Sequence, residues 1–287
     1  MRYGMRTMNH SWARGLVMGV LASFLLNFLP YTAATASAQC GIENTAFKSG
    51  EFLSYDLYFN WKFVWFKVGT ASMNTTRTSF RGQSAYRSYL ITRTSAKADK
   101  YFTMRDTLIS YTDLNLVPLY YQKRAFEGKS LRCEDVWYSY PNGQCSLKMK
   151  YSRNNGEPEL RSHESKYCAY DMISMMMRAR SFDASQFKVG QRINFLMAEG
   201  RRCEWRQLIY HGKKRLKMKD GNSVYNTLVF SYVEKEDGKE REIVRFYVTD
   251  DKNHLPVCLD LNLNFGSAKA YLRGAKGMRN SVEARVR

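Results

Sequence analysis

Over residues 47–151 the chain is written in short runs rich in Tyr, Phe, Val, Leu and Thr, broken by Gly, Asn and Asp. Apolar and polar side chains alternate within these runs with a period of two, the pattern of strands that bury one face. Residues 51–59 alternate, 61–73 are more continuously apolar and carry Gly69, and 84–96, 101–112, 119–126 and 133–140 extend the series. Asn142-Gly143 accepts the two positive φ angles of a type I′ turn, so residues 145–151 are the return strand of a hairpin in which Cys145 faces Tyr140.

Residues 154–165 turn polar around Asn154-Asn155-Gly156 and Pro158, which predicts a loop or lobe boundary. Residues 171–180 predict the one short helix. Asp171 is suited to cap it, Met175, Met176 and Met177 are good helix formers and core fillers, and Arg178 and Arg180 suit its C-terminal dipole. Strands resume at 192–198, 204–210, 223–234, 240–249 and 256–265, with Asp237-Gly238 as a second hairpin turn and 267–272 as a last strand. Between them, Arg215, Lys217 and Lys219 share one strand face and Leu216 and Met218 the other, which reads as a charged strand protecting a sheet edge. Strands without alternating helices exclude a doubly wound α/β fold and predict an all-β, mainly antiparallel meander in two strand-rich halves, with the helix plugging one side of a sheet.

The N-terminus changes the picture. Arg2, Arg6 and Arg14, with no acidic residue, precede an apolar run over 15–29 that ends at Pro30. That run is shorter than the roughly 20 residues of a membrane helix, and Ala36-Ser37-Ala38 supplies the small residues of a cleavage site. Residues 1–38 are expected to be a cleavable signal peptide and 39–287 a single β-rich domain, its two lobes meeting near 154–182. Cys40 raises the alternative of an acylated terminus, which Gln39 before it disfavours. No second apolar run of membrane length follows, so the processed chain is expected to be exported and soluble or peripheral.

Cleavage removes three arginines and brings the formal charge from +19 to +16. Outside the cytoplasm such a charge points to membrane surfaces and acidic glycans rather than nucleic acid, and it also keeps a β protein soluble. Cys40, Cys133, Cys145, Cys168, Cys203 and Cys258 permit a disulfide framework whose pairing stays open. One pair is excluded within the hairpin. Cys133 lies seven positions beyond the partner of Cys145, roughly 23 Å along a strand.

Several local patterns, taken in order, resemble an exported bacterial group, domain-of-unknown-function family 3108. They are Gly50-Glu51-Phe52-Leu53-Ser54-Tyr55-Asp56, Val68-Gly69-Thr70-Ala71-Ser72-Met73, Asp106 through Tyr111 with Asp113 and Pro118, Tyr170-Asp171-Met172-Ile173-Ser174 leading to Arg178, Thr249-Asp250 with Leu255-Pro256-Val257, and Gly266-Ser267-Ala268. The resemblance implies a spiral β-roll or partly open barrel in a bacterial envelope, in the periplasm or at the envelope surface, and supplies no activity. Within it, Glu51, Tyr55, Gly69, Asp106, Pro118, Asp171, Arg178, Asp250 and Pro256 are read as structural.

No GxSxG elbow, HExxH, phosphate-binding loop, dinucleotide fingerprint or CxxC occurs, and only His163, His211 and His254 follow residue 38. No catalytic residue, metal or cofactor is therefore assigned. The leading expectation is a non-enzymatic envelope protein that holds, carries or docks an amphiphilic or polymeric ligand, such as lipid, lipopolysaccharide or a lipoprotein tail, with Trp61, Trp65 and Tyr101 as candidate contacts. The alternatives are a glycan-acting enzyme, for which a cleft with two carboxylates would speak, and a structural subunit of an envelope assembly.

Overall fold

The computed structural model describes residues 39–62, 64–236, 238–263 and 266–286; the segment read as a signal peptide lies outside them. The strands are β1 (Glu51–Trp61), β2 (Val64–Phe80), β3 (Gln83–Thr94), β4 (Met104–Thr112), β5 (Pro118–Glu127), β6 (Ser130–Ser139), β7 (Cys145–Arg153), β8 (Glu159–Ser165), β9 (Ala169–Tyr170), β10 (Arg192–Glu199), β11 (Arg202–Lys217), β12 (Val224–Glu236), β13 (Lys239–Thr249), β14 (Pro256–Leu263) and β15 (Gly266–Lys276). They form one sheet in the order β8-β7-β6-β5-β4-β3-β2-β1-β15-β14-β13-β12-β11-β10-β9. All neighbours are antiparallel except the short β9–β10 pair. The all-β, mainly antiparallel fold is borne out, as a nearly closed barrel with one seam.

The period-two pattern sets which face turns inward. Tyr121 and Ala125 on β5, Val136 and Tyr138 on β6, and Cys145, Leu147 and Met149 on β7 are all buried. Asn142 and Gly143 take φ angles of 52° and 78°, and Gln144 N–H donates to the Pro141 carbonyl at 3.0 Å, so the expected turn forms in the expected register. Residues 159–165 are a strand, not a loop. Their polar composition reflects their position, because β8 ends the sheet and needs no second apolar face. The charged stretch of β11 lies beyond the reach of its β10 partner, where only β12 pairs with it, so it does border an open ladder edge.

The seam falls between β8 and β9 and is bridged by side chains. Gly200 N–H, at the β10–β11 turn, donates to Glu134 Oε2 at 2.9 Å. Lys123 Nζ reaches Glu199 at 3.3 Å and Glu134 at 3.6 Å. Arg201 pairs with Glu159 of β8 and lies 5.4 Å over the Tyr151 ring. At the other end of the seam, Cys40 is disulfide-bonded to Cys168, and Gln39 Nε2 donates to the Lys166 carbonyl at 2.9 Å. Cys133, Cys145, Cys203 and Cys258 are free thiols, and burial pushes Cys203 and Cys258 up to about 12, which makes them poor nucleophiles.

Two α-helices lie wholly within the described residues. α1 (Ala96–Asp99) is a single turn in the β3–β4 connection, where the sequence reading had only strand ends. α2 (Met172–Ala179) is the expected helix, and it plugs the barrel. Its Ile173 and Met177 pack into the main cluster with Leu53, Tyr121 and Leu147, and its Met175 joins a second cluster with Phe195, Met197 and Leu208. Asp171 caps it, accepting from the N–H groups of Ile173 and Ser174, while Ser110 Oγ donates to its other oxygen at 3.0 Å. Just past α2, Arg180 forms a two-pronged ion pair with Glu51 of β1 at 2.5 and 2.8 Å, both side chains about 2% exposed. Its Nε donates to the Asn253 carbonyl at 3.1 Å.

Candidate functional site

Successive turns of an antiparallel meander alternate between two edges of the sheet. The β1–β2, β3–β4, β5–β6 and β14–β15 turns therefore share one edge, and the sheet order places them side by side. This rim carries the exposed large apolar residues Val64 and Phe66 on β2, Tyr101 and Phe102 after α1, Phe126 on β5 and Leu263 on β14. Tyr101 is 92% exposed. Interspersed among them, Lys62, Lys97, Lys100 and Lys129 are exposed and have no ion pair among the described residues.

Local chemistry holds the rim in place. Ser95 caps α1, and Asp99 binds Arg105 at 2.5 Å and accepts from Thr94 Oγ1 at 2.5 Å. The Arg105 hydrogen bond, with help from Thr94, holds the Asp99 carboxyl below its ordinary range. Gly128 N–H donates to the Thr103 carbonyl at 2.7 Å, and the glycine's φ of 63° lets the chain turn beside the Phe102 ring, which a Cβ there would approach to 3.3 Å. The connection that displays Tyr101 and Phe102 is thus fastened to the β5–β6 turn.

Of the three aromatic candidates, Tyr101 stands on the rim. Trp65 is half-buried under Lys269 Nζ, 5.1 Å from its ring, and so is partly committed within the fold. The Trp61 side chain lies outside the described residues. The sequence reading missed Val64, Phe66, Phe102, Phe126 and Leu263. A signal existed, since each lies at or near a hairpin end where an apolar residue has no strand interior to face.

The family-like residues are dispersed. Glu51 pairs with Arg180, and Tyr55 is buried near that pair, its phenol pushed up by burial. Gly69 lets β2 and β3 approach, because a Cβ there would meet the Arg93 carbonyl at 2.2 Å. Pro118 accepts from Tyr140 at 2.9 Å, and Pro256 begins β14. Arg178 donates to the Cys40 carbonyl at 2.7 Å and covers the Tyr170 ring, and Asp250 pairs with Lys213 at 2.7 Å.

Asp106 is different. It lies beside Glu127, Lys123 and Arg132, and the last two also neighbour Glu134. Its Oδ1 is buried without a hydrogen-bond partner, and burial, then the neighbouring Glu127 charge, pushes its carboxyl up to about 7. An unfolded aspartate ionises near pH 3.9. As pH rises from about 4 to about 7 the unfolded chain has released this proton and the folded chain still holds it, so folding stability falls across that window. Asp106→Asn removes the effect. The variant is expected to melt about 2–4 °C above the parent at pH 8 and level with it near pH 4, read from thermal unfolding at each pH; an unchanged difference across that range would refute the assignment.

Residues 54–273 match the model of a family described as a protein of unknown function, DUF3108. Among solved structures, a β-barrel-like protein of domain of unknown function DUF1849 from Brucella abortus aligns with a TM-score of 0.52 at 11% identity, covering 80% of this chain and 99% of that one. The two share a fold. A Bacteroides fragilis protein with a YmcC-like fold aligns at a TM-score of 0.33 and 6% identity, over 83% of this chain and 100% of that one. No curated protein matches the chain.

Proposed function

The chain belongs to the DUF3108 family, and from that premise we infer that it is an exported, non-enzymatic protein that docks onto an anionic amphiphile layer, lipid or lipopolysaccharide, through its rim. The observation that carries this reading is the side-by-side placement of exposed Val64, Phe66, Tyr101, Phe102, Phe126 and Leu263 with free lysines on one edge of the sheet. Contiguous apolar exposure marks an interaction surface. Aromatic residues suit the boundary between headgroup and acyl chain, and each lysine near an anionic surface adds about 1 kcal/mol. Docking fits better than enclosure, because α2 and side chains such as Leu53, Tyr121, Val136 and Leu147 fill the interior.

Cosedimentation with vesicles tests it. The protein is expected to bind vesicles containing phosphatidylglycerol, to release as salt rises, and to ignore pure phosphatidylcholine. Phe66→Asp combined with Lys97→Glu and Lys100→Glu should weaken binding by at least about 30-fold. Equal partition onto both vesicle types, or none onto either, would overturn the reading.

Asp106 favours a second reading, an enzyme acting on envelope glycan, since a partly buried carboxyl held protonated toward neutral pH can serve as a general acid in hydrolysis. That reading requires glycan hydrolysis by the purified protein that disappears in Asp106→Asn while vesicle binding persists.

A further inference from the structure

A second surface lies away from the rim sector, beside the seam. β10, β11, β12 and the segment before β9 enclose a depression of about 310 Å³. Trp205 and Tyr167, each about half exposed, stand over it edge to face with ring centroids 5.1 Å apart. Buried Val233 lies among its lining residues.

Its polar lining is oriented by a relay. Glu240 binds Arg192 at 2.6 and 3.0 Å, and Arg192 Nη1 donates to Gln207 Oε1 at 2.7 Å. Gln207 must then offer its amide nitrogen to Asn194 Oδ1, at 2.7 Å. Asn194 is left presenting its Nδ2 donors, which have no partner among the described residues. Arg206 is committed to Glu204, Glu234 and Tyr232 at 2.7 to 3.2 Å, so it shapes the depression without offering charge. Lys235 is exposed and lies opposite Glu240 across the β12–β13 ladder; that carboxylate is bound to Arg192, and Lys235 itself makes no ion pair among the described residues, so its ammonium is open to a ligand.

A half-exposed indole face, fixed amide donors and one free ammonium around a shallow hollow form a combination that lipid does not need. Acyl chains want a continuous apolar wall, which the amides interrupt. A sugar ring needs each part: its C–H face stacks on an aromatic plane, its hydroxyls take fixed donors and acceptors, and a carboxylate or phosphate substituent takes the cation. We propose that this depression, built on Trp205, Tyr167, Asn194, Gln207 and Lys235, binds an acidic oligosaccharide. The site acts by recognition alone and shares no named residue with the rim.

The test uses the protein purified from its own cells on an array of uronate-, sialate- and phosphate-bearing oligosaccharides with their neutral counterparts, followed by calorimetric titration of the best-retained sugar. Acidic sugars are expected to be retained over neutral ones. Trp205→Ala should weaken binding at least about tenfold with its melting temperature held, and Lys235→Gln should bring the acidic sugar to the level of its neutral counterpart. No saturable retention on the array, or a Trp205→Ala variant that titrates as the parent does, would overturn the proposal. Vesicle binding by the same variant is expected to be unchanged, so failure here and failure of rim docking are told apart.

Discussion

Arg180→Met is expected to lower the unfolding free energy by about 3–5 kcal/mol, measured as a shift of the urea midpoint. The loss comes mainly from what remains. Glu51, about 2% exposed, would keep its charge in an apolar setting with its partner gone, and the cost of an unpaired buried charge exceeds the net value of the pair. The Asn253 carbonyl would also lose its donor. Removing both charges removes most of the penalty, so Glu51→Leu with Arg180→Met should be more stable than either single change. A double variant as unstable as the sum of the singles would show that the two residues act independently. The pair matters because it joins three segments: the start of β1, the end of α2 and the β13–β14 connection.

The second large effect is that of the disulfide. Cys40 and Cys168 are 128 residues apart, and closing so long a loop restricts the unfolded chain by about 5 kcal/mol in the chain-entropy account, of which about 2–5 kcal/mol is usually realised. Replacing both by alanine should lower stability by that amount, and a reducing agent should destabilise the parent while leaving the variant untouched. A variant that still responds to reductant would mean that another of the cysteines is paired in solution.

Much of the fold was legible because its causes are local. Alternation marked most of the strands, Asn142-Gly143 fixed a turn through its positive φ angles, and Asp171 marked the start of α2 by its capping oxygen. β8 was missed for a physical reason: an edge strand with both faces largely open needs no alternation. The pairing of Cys40 with Cys168 could not be read either, because it depends on where α2 seats the chain before it. The rim was half legible. Tyr101 stood out as an aromatic, but Val64, Phe66 and Phe126 look like core residues until the hairpin ends are known to share an edge. Trp205 and Tyr167 meet only once β9 pairs with β10 and lays the preceding segment beside β11, and no local pattern announces that.

The sheet order has a kinetic consequence. Every neighbouring pair but one joins strands adjacent in sequence, so each wing of the sheet is assembled from local hairpins. The exception is β1 with β15, where Phe52 meets Lys276. That single non-local junction, with the long loop closure it requires, is expected to limit the folding rate. A chain delivered N-terminus first holds β1 with one ladder edge open until its last strand arrives. Such a protein stays incomplete, and in need of protection from self-association, for as long as its delivery lasts.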